Sequence, residues 1–168
     1  EGLSKKLVDP EWKPDFGPAE FNKSVEKSGV TGISARDFLV AYNVNLNTTS
    51  TRRANAVAFD IREAGRIKRE GGTLSGKVIK DADGNPMKEP GLFKAVKGIG
   101  WFIDEYGVAQ ISYNLTDINI SPLHEVFDKT CERSTARGMR VTGSELIGLV
   151  PKKVLIDAGK HFLKKQER

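Results

Sequence analysis

The stretch Phe38-Leu39-Val40-Ala41-Tyr42-Asn43-Val44-Asn45-Leu46 alternates with a period of two, and no other feature constrains the fold as strongly. Successive strand side chains point to opposite faces. Phe38, Val40, Tyr42, Val44 and Leu46 therefore share one face, and Leu39, Ala41, Asn43 and Asn45 the other. A strand that is apolar on one side only must lay that side against another layer. The same alternation returns in 108–115, where Ala109, Ile111, Tyr113 and Leu115 oppose Val108, Gln110, Ser112 and Asn114. The sequence before it, Leu92 to Glu105, reads as its hairpin partner across Glu105-Tyr106-Gly107.

Helical spacing fills the gaps. Asn47-Thr48-Thr49-Ser50-Thr51 offers several N-caps for a helix carrying Ala54, Val57, Ala58, Ile61 and Ala64. Arg52, Arg53, Arg62, Glu63, Arg66 and Lys68 cover its other side, and Gly71-Gly72 is expected to end it. A small exposed excursion follows, from Leu74 past the Asp81-Ala82-Asp83-Gly84-Asn85 turn. That turn resembles half a calcium loop, but Lys88 and Pro90 occupy the later ligand positions. Ser121 as cap and Pro122 in the first turn open a second helix, with Leu123, Val126, Phe127, Thr130 and Cys131 as its stripe and Gly138 at its close. Strand segments are expected at Arg140 to Thr142 and Glu145 to Val150. A last helix after Pro151 carries Val154, Leu155, Ala158, Phe162 and Leu163. The order is βαββαβ plus a helix. It predicts an α+β, ferredoxin-like sandwich, a mainly antiparallel sheet with helices on one face. Residues 38–168 form this domain. Residues 1–37 form an irregular arm, rich in Pro and aromatics, with a polar loop at Asn22 to Ser28.

Composition excludes several functions. No apolar run approaches the ~18 residues of a membrane helix, so no membrane role is expected. One cysteine, Cys131, leaves no internal disulfide and suits a reducing, cytoplasmic setting. The net charge of +5 sits largely in the C-terminal helix, with no basic stripe interleaved with exposed aromatics, so no nucleic-acid partner is expected. His124, in the first turn of a helix, and His161, in a basic one, read as packing and surface residues. Cys131 reads as core. Gly98-Ile99-Gly100 is too short for a dinucleotide fingerprint. No metal site is expected, and no catalytic residue is assigned. The sheet face bearing Asn43, Asn45, Gln110, Ser112 and Asn114 is uncharged and rich in amides, which strands disfavour. Amides both donate and accept, which suits a polar heterocycle. A ligand-facing sheet and a solvated face account for it equally well.

Several segments resemble the glutamate formimidoyltransferase family. They are Trp12-Lys13-Pro14-Asp15-Phe16-Gly17-Pro18, Ala35-Arg36-Asp37 running on through the first strand, Ile61-Arg62-Glu63-Ala64-Gly65-Arg66, Lys97-Gly98-Ile99-Gly100-Trp101-Phe102, Asn114-Leu115-Thr116-Asp117 and Gly143-Ser144-Glu145-Leu146-Ile147-Gly148-Leu149-Val150-Pro151. The resemblance implies transfer of a formimino group from N-formimino-L-glutamate to N5 of tetrahydrofolate, in histidine degradation, with tetrahydrofolate as co-substrate and no metal. It implies a C-terminal subdomain with its linking arm, facing an N-terminal subdomain that holds the family's catalytic histidine. Neither His124 nor His161 matches that histidine. The chain opens Glu1-Gly2-Leu3 and is expected to be part of a longer polypeptide, inactive alone and homodimeric. The family's folate-binding segment maps onto Gly17-Pro18-Ala19-Glu20-Phe21 and runs on to Gly29, with Phe16 or Phe21 available to cover a pterin. Asn22 to Ser28 is longer and more charged than the family pattern, and Ser34 stands where it has glycine. The rival reading is a non-catalytic ferredoxin-like module that binds a small metabolite or mediates oligomerisation.

Overall fold

The first alternating stretch forms β1, Val40–Leu46, with Val40, Tyr42, Val44 and Leu46 buried as expected. Phe38 does not join it and is exposed. The computed structural model describes residues 2–72 and 76–166. Leu74 and Arg168, which figure in the expected excursion and tail, lie outside the described residues. The chain divides into two compact units, Glu1–Arg36 and Asp37–Arg168.

In the first unit, a short helix at Leu3–Lys6 is followed by a 3₁₀ turn at Pro10–Trp12, where the Asp9 carboxylate accepts from the Glu11 N–H. The expected polar loop is instead a helix, Lys23–Ser28. Asn22 Oδ1 accepts from the N–H groups of Ser24 and Val25, both at 3.0 Å, and Val25 is buried. One cap supplies what composition alone hid.

The second unit continues with α1, Thr51–Ile61, capped by Ser50 Oγ, which accepts from Arg53 N–H. Ala54, Val57, Ala58 and Ile61 are its buried stripe. The helix stops ten residues short of Gly71-Gly72, because Arg62 turns extended at φ −67°, ψ 147°. Gly65 then packs so closely that a Cβ would lie 1.8 Å from Glu89 O. The chain after it folds back as a two-residue antiparallel pair, Arg66–Ile67 with Lys88–Glu89. At the tip of the excursion, Asp81 Oδ1 accepts from the Asp83 and Asn85 N–H groups, an ordinary turn.

The hairpin is β2, Val96–Ile103, and β3, Val108–Leu115. β2 starts later than Leu92 because Leu92 and Phe93 donate their N–H groups to Asp60 O and Ile61 O at the end of α1. α2 spans Leu123–Thr135, β4 Val141–Ile147 and α3 Lys152–Gln166. Ser121 does not cap α2. Its hydroxyl donates to Lys94 O at 2.6 Å, and Pro122 is the residue before the first turn. β4 is one strand rather than two segments.

The sheet order is β2-β3-β1-β4, every neighbour antiparallel, which is the ferredoxin-like order. The buried residues of α1 and α2 share one core with Ala109, Ile111, Tyr113 and Leu115, so the helices cover one face. Tyr113 OH pairs with Thr130 Oγ1 at 3.0 Å, which satisfies the one phenol at 0% exposure. β2 is an edge strand, and Asn55 of α1 closes that edge. Its Nδ2 donates to Gly100 O and its Oδ1 accepts from Gly100 N–H. α3 buries Val154 but leaves Leu155 and Leu163 exposed, against expectation.

Candidate functional site

The register fixes what the uncovered face presents. Asn45 pairs with Gln110, Asn43 with Ser112, and Ala41 with Asn114. The five amide-face residues therefore lie on one side of two adjacent strands. The flanking strands add charge that the sequence reading missed. Asn43 also pairs with Glu145 of β4, and Asn114 with Lys97 of β2. The face is polar but not uncharged. Gly98 and Gly100 are forced toward the helices, where a Cβ would meet the Tyr113 ring or the α1 backbone, which turns Lys97, Ile99 and Trp101 outward. Those two glycines were the available signal for Trp101.

Gln110 is the hub. Its Oε1 accepts from Trp101 Nε1 at 3.1 Å, and its Nε2 donates to Asn45 Oδ1 at 2.7 Å and Glu145 Oε2 at 3.2 Å. With 0% exposure and its donors and acceptor engaged, Gln110 positions Asn45 and Trp101. Asn43 differs. It is 7% exposed, and among the described residues its side chain has no hydrogen-bond partner. Its amide atoms are not among the buried side-chain groups left without a partner, so they reach the open face. Tyr106, on the hairpin turn, is near Glu145, whose carboxylate holds the phenol above its ordinary range.

Beside Asn43 the face opens into a cleft of about 530 Å³, lined by Ser112, Asn114, Lys97, Ile99, Arg62 and Ala95. That volume is within the range of small-ligand sites. Ala95 has a left-handed backbone, φ 55°. Glu63 Oε2 accepts its N–H at 2.8 Å, and Thr116 donates to its carbonyl from both N–H and hydroxyl. Backbone strain held on both sides is a feature of ligand sites.

Of the arm residues, Phe16 is 94% and Phe21 45% exposed, while Gly17 and Gly29 have φ of 85° and 68°. Pro18 and Glu20 are exposed, and Ala19 is half-buried. They belong to the first unit.

The titrating groups are elsewhere. His124 of α2 stacks on His161 of α3 at 4.5 Å between ring centroids, and His161 Nε2 pairs with Asp128 at 2.9 Å. Burial, then the charge of His161, lowers the pKa of His124. Burial pushes the Cys131 thiol up, away from the reactive thiolate. Neither histidine is on the amide face, whose polar groups are amides, the Ser112 hydroxyl and the carboxylate of Glu145. Among the described residues no group of His, Cys, Asp and Glu has the geometry of a metal site, and no helix is long and apolar enough to cross a membrane.

Fold and face together define a two-layer α+β domain with an open sheet face of hydrogen-bonding groups. Residues 41–168 match the formiminotransferase domain family, and the chain belongs to that family. It is 42% identical over 167 residues to formimidoyltransferase-cyclodeaminase of Gallus gallus, covering 99% of this chain and 27% of the relative. It is 33% identical to glutamate formimidoyltransferase of Thermoplasma acidophilum, covering 97% of this chain and 44% of the relative. For the Streptococcus pyogenes glutamate formimidoyltransferase the identity is 30%, with 99% and 46% covered. The chain thus spans between about a quarter and a half of the length of these relatives.

Proposed function

We propose that this chain is the folate side of a glutamate formimidoyltransferase, which moves the formimino group of N-formimino-L-glutamate to N5 of tetrahydrofolate during histidine degradation. N5 attacks the amidine carbon, a tetrahedral adduct forms, and the bond to the glutamate nitrogen breaks as that nitrogen takes a proton. The chemistry needs two oriented substrates and a proton carrier. In this reading Asn43, Asn45, Ser112 and Asn114 orient the pterin and Gln110 positions Asn45; Phe16 to Phe21 and Gly29 are further folate-contact residues, carried by the first unit. The proton carrier belongs to a partner subdomain that meets the amide face, where Ile99, Trp101 and Ile147 are exposed around the polar centre. A homodimer is the proposed assembly, to be tested by sedimentation.

Chain-long similarity to relatives named for this reaction supports the chemistry. The observation that favours the sheet face is Asn43, which stands between Ser112 and Glu145 with its amide open to the face and making no side-chain hydrogen bond among the described residues. An amide kept there for a ligand makes opposite demands on binding and stability. Asn43→Leu is expected to leave the urea midpoint unchanged or raised, while the Kd for 5-formyltetrahydrofolate rises by about tenfold, the loss of one or two hydrogen bonds. A variant that loses stability and keeps its affinity makes Asn43 structural and removes the site from this face. Full turnover by this chain alone at saturating substrate would refute the assignment of proton transfer to a partner.

A further inference from the structure

A cleft larger than the one on the amide face lies elsewhere. It runs along the solvent side of α1, about 990 Å³, between the helix and the returning segment after Arg66. Its floor is apolar, with Ala56, Phe59, Ile67 and Ile79. A smaller pocket of about 150 Å³ shares Phe59, Asp60, Arg66 and Glu89 with it and adds Arg133.

The walls are strongly one-signed. Arg52, Arg62, Arg66, Lys68, Arg69 and Arg133 face only two carboxylates, Asp60 and Glu89. Asp60 is already held by Arg66 and Arg137. Some of the cations have structural work. Arg62 stacks on Phe59 at 3.9 Å and donates to Gly98 O, and Arg69 donates to Gly76 O. Others have none: among the described residues the side chains of Arg52 and Lys68 have no hydrogen-bond or ion-pair partner. Arg133 Nε is buried with no acceptor. Burial and the neighbouring guanidiniums lower the pKa of Arg66 and Arg137, the mark of positive charge in excess of its counter-charge.

We propose that this groove is an anion site, separate from the amide face, for a small ligand carrying two or more carboxylate or phosphate groups. The charge is spread along a groove too large for a single oxyanion, so one anionic group reaches Arg133 and Arg66 while another reaches Arg52 and Lys68. Guanidinium groups bind both chemistries through paired N–H···O bonds.

The test is calorimetric titration of the full chain at low ionic strength with tripolyphosphate, citrate and orthophosphate. Saturable binding of tripolyphosphate, citrate or both supports the site, and which of them binds identifies the phosphate or carboxylate source. The double variant Arg52→Gln/Lys68→Gln is expected to bind about tenfold more weakly or worse, since charge-assisted hydrogen bonds are lost. Neither side chain supports the fold, so the urea midpoint without ligand serves as the control. If that midpoint falls, Arg52→Lys keeps the charge and replaces it as the probe, with affinity expected within a few-fold of the parent. Three results overturn the proposal: no binding of either polyanion, orthophosphate binding as tightly as tripolyphosphate, or unchanged affinity in the variant that removes the charge.

Discussion

Gly100 shows how one residue couples a strand edge to a helix. A Cβ there would lie 2.5 Å from Asn55 N and 2.7 Å from Ala54, while one at Gly143, on β4 at the opposite edge, would meet nothing nearer than 3.9 Å. Both sit in strands, so strand propensity is common to the two, and only packing differs. Gly100→Ala is expected to cost about 1–3 kcal/mol, the usual range for overpacking, and to lower the urea midpoint. Gly143→Ala is expected to move it by no more than ~0.5 kcal/mol. Equal effects at the two sites would mean that α1 does not press on the β2 edge. Period-two reading brought Asn43, Asn45, Gln110, Ser112 and Asn114 to one face correctly, because side-chain direction in a strand is local. It did not reveal that Gln110 is a buried hub. Trp101 and Glu145 reach it only through strand pairing, and one of those pairings joins residues 35 apart in sequence.

Elements were legible where their periodicity was strong and illegible where a distant backbone group ended them. β1, β3 and the buried stripe of α1 follow the pattern. The end of α1 does not, because Ala64 continues the helical spacing while Gly65 is needed against the Glu89 backbone. Of the residues assigned to the far side of a long helix, Arg62, Arg66 and Lys68 therefore fall after its end and, with Arg52 of the helix, line a groove. α2 and α3 raise a different question, since their contact carries titrating groups. Burial opposes ionisation of Asp128, but hydrogen bonds from Lys165 and His161 together outweigh it and lower its pKa. That contribution is present above the ordinary carboxylate pKa and is lost only as pH falls through the lower folded value, below about 4. His124 acts higher. Glu125, Asp157 and Asp128 favour its charge, but burial and His161 prevail and its folded pKa is lowered. The folded state then binds this proton less readily than the unfolded chain. Stability is full above the unfolded value of about 6.5 and falls as pH drops from there toward the folded value. The urea midpoint is expected to decline on acidification through this window, and His124→Gln to flatten the decline. A parent midpoint that is flat or rises there contradicts an uncharged His124 in the fold.

At the scale of the whole molecule the two proposed sets of ligand contacts differ in kind. The amides proposed on the sheet face suit the edge of a heterocycle, and the aromatic rings proposed in the arm suit its face. The fold class of the body could be read from its sequence because β1, β3 and the buried stripes of α1 and α2 each carry their own period. The site could be read only in part, because a ligand site is defined by residues that meet in space, and the sequence has no period for that. Two single substitutions, read by 5-formyltetrahydrofolate affinity, test each proposal by itself. Phe21→Ala is expected to lose roughly 1–3 kcal/mol if its ring is covered by the ligand, and Asn114→Ala about 1 kcal/mol for its hydrogen bonds. A Kd untouched by Phe21→Ala, with Asn114→Ala still harmful, would leave the sheet face as the site and release the arm from it.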